Sequence, residues 1–412
     1  MSIPFFSIDM SSKEWRAYLS GLAFSTKVKR HSEVVLGQLL ESRYPEHNIV
    51  LLPSARLGFY LTLKNAFKPG DEIIFSALSF PLYSKIAIEL GLRPVFVDVE
   101  SCHLNMDAER VESAISRRTK AIVVTNLFGH PADLSAIERI AKEYEIPVIE
   151  DCAQSFDSNY HGIETGATSW VGLISCSLMK VPTTLGGGIL ITKDLDFAEK
   201  IRISVEELSK VGPTNGVFSY HLKGFISVLN SYPWLYSSLS HQVFGLIKKR
   251  NPGLLRRILY SGMGMTEQLF DANERPPLAA YQIAVGAVQF VRTREMTNIR
   301  RQHSAVFDEY FSDHPAITVL TEEPGIYWNY QYHVVDVGDN LDRVFHYMFS
   351  KGIHVMKEDV WDCTAYGFPG AKYSDCAVAK RRNRGLLRLP NNSFLSTPQI
   401  KGIARALLDS LD

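Results

Sequence analysis

Between Asn48 and Asp151 short apolar runs alternate with helical stretches, and this alternation limits the chain to few architectures. The runs Asn48–Pro53, Glu72–Phe75, Arg93–Val99, Lys120–Thr125 and Pro147–Asp151 read as strands. Leu57–Ala66, residues 81–90 and 107–116, and Leu134–Tyr144 read as the helices between them, and Pro69-Gly70-Asp71 is a turn signal. Strand–helix units of this length build a parallel sheet covered on both faces. Such sheets bind ligands outside the carboxyl ends of their strands, where Ser54, Asp98 and Asp151 are expected.

Residues 11–45 read as a helix reaching to Pro45. Pro277–Phe311 reads as one long helix from the spacing of Leu278, Ile283, Val285, Val288 and Phe290. Strand-like runs at Ala316–Leu320 and Tyr332–Asp336, with helices near 340–351 and 397–411, suggest a smaller α+β domain. A chain of 412 residues exceeds one simple core, so two units are expected. The first is a large α/β domain over 1–270; the second, 271–412, is a linking helix with a small α+β domain. Residues 205–270 stand apart as a discontinuous apolar and aromatic series, broken by Pro233 and Gly245 and followed by Lys248-Lys249-Arg250 and Arg256-Arg257.

Lys and Arg number 44 and Asp and Glu 44, so the charge balance offers nucleic acid no footprint. Cys102, Cys152, Cys176, Cys363 and Cys376 are scattered, without metal-ligand spacing, which suits reduced thiols in a cytoplasmic protein and leads to no expected metal site. The start lacks the pattern of a signal peptide, and no uninterrupted apolar run has the length of a membrane span.

Chemistry is suggested by Val148-Ile149-Glu150-Asp151-Cys152-Ala153-Gln154, with Ser175-Cys176-Ser177-Leu178-Met179-Lys180 and Gly186-Gly187-Gly188 downstream. A strand-end aspartate, a serine and a lysine beside glycines could hold a pyridinium nitrogen, a phosphate and an aldehyde, the three handles of pyridoxal phosphate (PLP). PLP chemistry needs a lysine for the imine and for proton transfer, a carboxylate against the ring nitrogen, and a hydroxyl with helix-start N–H groups for the phosphate. Taken singly, the aspartate reads as a cap, the lysine as a solvated side chain and the glycines as a turn. Their order and spacing carry the case.

The chain resembles the DegT/DnrJ/EryC1/StrS sugar aminotransferases, a branch of the fold-type I PLP-dependent enzymes. The motifs are Pro69-Gly70-Asp71-Glu72-Ile73-Ile74, Gly91-Leu92-Arg93-Pro94-Val95-Phe96-Val97-Asp98, Arg118–Ile122, Asn126–Asp133 and Glu150-Asp151-Cys152-Ala153-Gln154. They extend from about residue 47 to 204 and resume near 272. The resemblance implies a large domain with a mostly parallel sheet between helices and a smaller carboxyl-terminal α+β domain. It puts Lys180 at the Schiff-base lysine, Ser175 at the phosphate serine, Asp151 at the partner of the pyridine nitrogen and Gln154 near the phenolic oxygen. Ser54, Ala55, Arg56 and Leu57 fall at the phosphate-binding helix start, and Phe80 at the aromatic stacked on the ring; packing in the core is the plainer reading of Phe80. Asn273 resembles the asparagine that reaches the neighbouring subunit's phosphate, which would make a homodimer with shared active sites.

Cys176 and Val181 depart from the aromatic and asparagine usual beside the serine and lysine, Gly186-Gly187-Gly188 from Glu-Gly-Gly, and Arg56 from a common threonine. The resemblance implies transfer of an amino group from an amino acid, glutamate, to a nucleotide-linked keto-sugar, both small molecules. A hydrophobic or lipid-linked carbonyl acceptor is the alternative, as is a non-catalytic relative that binds PLP or a sugar. Idle relatives would be expected to lose Lys180 or Asp151, and both are present. The insert at about 206–271 reads as dimer packing or a lid. Otherwise residues 217–262 contact an anionic membrane surface at its inner face, or line a groove for an acyl substrate.

Overall fold

A computed structural model describes residues 2–4, 8–211, 277–358 and 361–412, together with Val228 and Arg250. Asn273 and nearly all of 217–262 lie outside the described residues, so the expectations attached to them have no structural counterpart here.

The segment expected as one helix over 11–45 is two. α1 (Ser12–Ala23) opens on a capping box, in which the Glu14 carboxylate accepts from the Ser11 N–H at 3.0 Å. It ends at Phe24, whose φ of −125° and ψ of 50° leave the helical region, and α2 (Ser25–Arg43) begins there. Both helices lie along a long helix, α8 (Ala280–Phe311). Buried Glu14 fastens α1 to it through Arg292 at 2.5 Å and Gln289 at 3.1 Å.

The anticipated alternation follows as β1 (Asn48–Leu52), α3 (Ala55–Ala66), β2 (Glu72–Ser76), α4 (Pro81–Glu89) and β3 (Arg93–Val97). It continues as α5 (Ala108–Ala114), β4 (Thr119–Thr125), α6 (Leu134–Glu143) and β5 (Val148–Asp151). Helix starts are fixed locally: Asp107 and Asp133 cap α5 and α6, and Pro81 opens α4. Gly70, at φ 94°, makes the turn into β2.

Beyond β5 come the short β6 (Asn159–Tyr160) and β7 (Ile163–Glu164), then β8 (Val171–Ser175), β9 (Gly188–Thr192) and α7 (Leu195–Val211). After α8 the chain forms β10 (Thr318–Val319), β11 (Ile326–Tyr327), β12 (His333–Asp336), α9 (Leu341–Ser350) and β13 (Met356–Lys357). It closes with β14 (Lys372–Tyr373), α10 (Ala377–Arg382), β15 (Leu386–Leu389) and α11 (Thr397–Asp409).

The large sheet has the order β1-β9-β8-β5-β4-β2-β3-β14. β9 runs antiparallel to both its neighbours, and every other pairing in this sheet is parallel. β1 and β8 therefore run with the rest, and their carboxyl ends share one edge. β5 and β4 are buried almost throughout, as strands covered on both faces must be. A second, antiparallel sheet, β10-β12-β15-β13, packs with Phe307 and Phe311 of α8, Met348 of α9 and Ile403 of α11. The small sheet β11-β6-β7 joins the two parts of the chain.

Asp98 directly follows β3, at the carboxyl end where it is expected, and its side chain is engaged there. Its carboxylate accepts from Val378 N and Ala379 N, each at 2.9 Å, so it caps the first turn of α10 and is spent on docking that helix. Among the described residues no helix is long and apolar enough to cross a membrane. Val228 is the described residue of the apolar insert that bears on the site: it is buried among Ile8, Tyr18, Leu185, Tyr281 and Val285, with Leu178 at the margin.

Candidate active site

Register across the sheet brings the site together. Leu52 at the end of β1 pairs with Gly188 at the start of β9, and Gly188 pairs with Ser175 at the end of β8. Asp151 ends β5, one strand further on, opposite Leu173. Ser54, Ser175 and Asp151 thus stand at one edge, at the carboxyl ends of parallel strands.

Lys180 lies in the connection from β8 to β9, which is folded back on itself by backbone bonds. Cys176 N donates to Gly187 O at 3.0 Å, Thr184 N to Cys176 O at 3.0 Å, and Lys180 N to Ser177 O at 3.0 Å. Thr183 Oγ1 adds a bond to Ser177 O at 2.9 Å. Buried Cys176, in place of an aromatic, packs with Cys152 and Ile174 beneath this loop.

Alternation along β5 sends the two acids of Glu150-Asp151 to opposite faces, and they meet different fates. The Glu150 carboxylate accepts from Asn126 Nδ2 at 2.7 Å, Gly166 N at 2.8 Å and Ser169 Oγ at 3.2 Å, and has become part of the core. Asp151 has one such bond among the described residues, from Ala153 N at 3.1 Å. It is only 4% exposed, and burial pushes its carboxyl up to about 6 against the pull of the Ala153 N–H and the Lys180 ammonium. A nearly bare buried carboxylate at a ligand-binding edge is ready for a cationic N–H donor.

Ser54 caps α3, its Oγ accepting from Leu57 N at 3.1 Å, so Ala55 and Arg56 lead the helix toward the edge. Gly188 lies directly against that start: a Cβ on it would come within 2.2 Å of Ala55 N. Arg56 reaches Tyr83 electrostatically, as does Asp151, and burial foremost holds the Tyr83 phenol well above its usual range. Phe80, half-buried at the start of α4, has its ring centroid 5.5 Å from Tyr83 and 6.1 Å from Trp361. Gln154 is buried, with Oε1 accepting from Phe128 N at 2.9 Å.

The carboxyl-terminal part adds residues that sequence reasoning left out. Asn329 Nδ2 donates to Gln154 O at 2.9 Å and Phe156 O at 2.8 Å, fixing the chain just after the acidic strand. Gln331 and Tyr332 reach the carbonyl of Met179, the residue before Lys180, at 3.3 and 3.4 Å. The Lys180 ammonium lies 5.6 Å from the Tyr332 ring centroid, and the Arg388 guanidinium 3.8 Å from the same centroid. In sequence the only signal was Tyr332 at the start of a strand-like run.

Residues 46–225 match the profile of the DegT/DnrJ/EryC1/StrS aminotransferase family. L-glutamine:2-deoxy-scyllo-inosose aminotransferase of Streptomyces lividus is 39% identical over 132 residues, 32% of this chain and 31% of that protein. UDP-2-acetamido-2-deoxy-3-oxo-D-glucuronate aminotransferase of Pseudomonas aeruginosa is 40% identical over 135 residues, 32% of this chain and 38% of that protein. The similarity spans about a third of the length of these curated relatives. Among solved structures, the aminotransferase TlmJ from Streptoalloteichus hindustanus has the same fold, with a TM-score of 0.75 over 100% of this chain and 99% of that chain, at 20% identity.

Proposed function

Because residues 46–225 match the profile of the DegT/DnrJ/EryC1/StrS aminotransferase family, we propose that the chain is a PLP-dependent aminotransferase of that family, moving an amino group from glutamate to a nucleotide-linked keto-sugar. The observation that carries this reading is the meeting of Asp151, Ser175, Lys180 and the start of α3 at one sheet edge.

The residues fit the cofactor. Asp151 is a buried carboxylate with one bond among the described residues, suited to a pyridinium N–H. The leading N–H groups of α3, capped by Ser54 and approached closely by Gly188, suit a phosphate, with the Ser175 hydroxyl two strands from Leu52. Phe80 supplies an aromatic face and Gln154 an amide near the strand end.

PLP, when bound, supplies an aldehyde to carry the amino group and a ring to take up electrons. Lys180 Nζ would take a proton from the donor's Cα and return one to the acceptor carbon, as a positioned base and acid. Asp151 would keep a proton at the ring nitrogen, and Ser54, Ser175 and the α3 start would fix the phosphate. Asn273 would complete the site from a second subunit in a homodimer.

One relative's name specifies glutamine as donor and an inosose as acceptor; the other's specifies a UDP-linked 3-oxo sugar acid. These names support a keto-sugar acceptor, and both donors belong in the assay. A second reading, an apolar carbonyl acceptor, has support from Val228, whose cluster includes Leu185 and Leu178 on either side of Lys180.

The test joins two measurements. Protein given PLP and reduced with borohydride should carry a phosphopyridoxyl group on Lys180, and none after Lys180→Ala. A screen of nucleotide keto-sugars, inososes and acyl-chain ketones with glutamate or glutamine then reads aminated product by mass. Absence of the label from wild-type protein would refute the reading.

A further inference from the structure

Tyr332 stands where the carboxyl-terminal part of the chain meets the Lys180 loop. It is buried, just before β12, and touches that loop in two ways. Its hydroxyl donates to Met179 O at 3.4 Å, and its ring centroid lies 5.6 Å from Lys180 Nζ, within the range in which an aromatic ring attracts an ammonium.

The phenol is itself held. Gln331 Nε2 donates to the Tyr332 hydroxyl at 3.0 Å and also reaches Met179 O. Arg388, from β15, lies 3.8 Å from the ring centroid and pairs with buried Glu358 at 2.6 Å. Neither the ring nor its hydroxyl can turn away without breaking these contacts.

We propose that Tyr332 is a positioning residue for Lys180: its ring seats the free ammonium, and its hydroxyl pins the peptide just before it. The inference rests on the reading of Lys180 as the lysine that moves protons. A transaminase lysine must leave its bond to the cofactor when the donor arrives and then act from a defined place. A flexible four-carbon side chain on a loop has no such place by itself, and Tyr332 provides one from the other part of the chain.

The charges around the phenol make the contact measurable without cofactor. The groups facing it are Lys180 from the β8–β9 loop, Arg388 from β15, Glu358 after β13, and Arg300 of α8 within electrostatic reach. Burial works to raise the phenol. Lys180, Arg388 and the Gln331 N–H outweigh burial and Glu358 and leave it below its ordinary value.

The experiment uses the full chain and begins with the ligand-free protein. An ultraviolet titration of the tyrosinate band should show one tyrosine ionising ahead of the rest. That early step should vanish in Tyr332→Phe and move to higher pH in Lys180→Met. An early step unmoved by Lys180→Met would overturn the inference. With PLP added, Tyr332→Leu should slow solvent exchange of the glutamate Cα proton roughly three- to tenfold, the span of a lost cation–π contact. Tyr332→Phe, which keeps the ring, should lose less; Tyr332→Leu exchanging like wild type would also overturn the inference. If wild-type Lys180 takes no phosphopyridoxyl label, the aminotransferase reading fails, and the ligand-free titration still decides whether Tyr332 seats Lys180.

Discussion

Gly188 lies against the amide of Ala55 so closely that a Cβ on it would come within 2.2 Å of that nitrogen and 2.7 Å of Ala55 Cα. Both atoms are backbone, so neither can swing aside. The contact joins the first residue of β9 to the first turn of α3, which supplies the proposed phosphate seat. Gly188→Ala must therefore push the helix start outward. The expected result is a loss of about 1–3 kcal/mol in stability, as for other overpacked sites. PLP affinity should fall at least about tenfold, read from a fluorescence titration. Gly37→Ala, inside α2 where a Cβ meets nothing within 4 Å, is the control: it should leave PLP affinity unchanged and raise stability by about 0.5–1 kcal/mol.

Asp151 sets function against stability. Its carboxyl, about 6 in the folded ligand-free protein against an ordinary 3.8, disfavours ionisation there. A raised acid means the unfolded chain releases its proton first, so this group lowers stability as pH rises from about 4 to 6. Above that window the penalty is on the order of 2–3 kcal/mol. Asp151→Asn should therefore raise the melting temperature of the ligand-free protein at pH 7.5 and lose that advantage at pH 4. Amino transfer should meanwhile drop by about a hundredfold or more, the scale of a single positioned polar group in catalysis. Glu150, although burial raises its carboxyl too, accepts three bonds in the core, so Glu150→Gln should gain less in melting temperature at pH 7.5 than Asp151→Asn.

The stacked rings of His103 and His130, 4.2 Å apart at 11°, predict a weakness in acid. Burial first, then the charge of His103, depresses His130 to about 3. A depressed histidine stays neutral in the fold while the unfolded chain takes up a proton near 6.5. Stability is therefore lost as pH falls from about 6.5 toward 3. His333, buried and also near 3, pulls the same way. Raised groups such as Asp151 and His103 pull the other way, so the test is a difference between proteins: in denaturant melts, the change in stability between pH 7 and pH 4.5 should be less unfavourable for His130→Asn than for wild type by more than about 1 kcal/mol.

These sites differ in how far the sequence reveals them. Asp151 and Lys180 were legible because their signals are local: a strand period ending in acid, then a serine, lysine and glycines at fixed intervals. The parallel core was legible for the same reason, each strand and helix being set by neighbours in the chain. Asp98 looked like Asp151 in sequence, a strand-end acid in a matching motif, and only α10, almost three hundred residues away, reveals it as a cap. The break at Phe24 carries no glycine or proline to announce it. Tyr332 and Arg388 come from the carboxyl-terminal part, and nothing in their local pattern says that Tyr332 faces Lys180 or that Arg388 lies against Tyr332. Glu150 was unreadable in a subtler way, since the same dipeptide supplies both the core acid and the site acid.

The ion pair between Glu358 and Arg388, 2.6 Å long and buried at both ends, yields a test of how the Tyr332 seat is held. Removing one member of such a pair leaves a charge without its partner in a dry interior. Arg388→Met or Glu358→Gln alone should cost about 3–5 kcal/mol. The double variant Arg388→Met/Glu358→Leu takes both charges away together and should recover much of that loss. The Tyr332 seat responds differently, because Arg388 lies against its ring and helps to lower the phenol. In the double variant the early tyrosine ionisation should shift to higher pH even though stability has returned. Chemical denaturation and the tyrosinate titration, run on the same samples, separate the two effects. Recovery of stability together with an unshifted titration would show that Arg388 supports the fold and leaves the seat of Lys180 untouched.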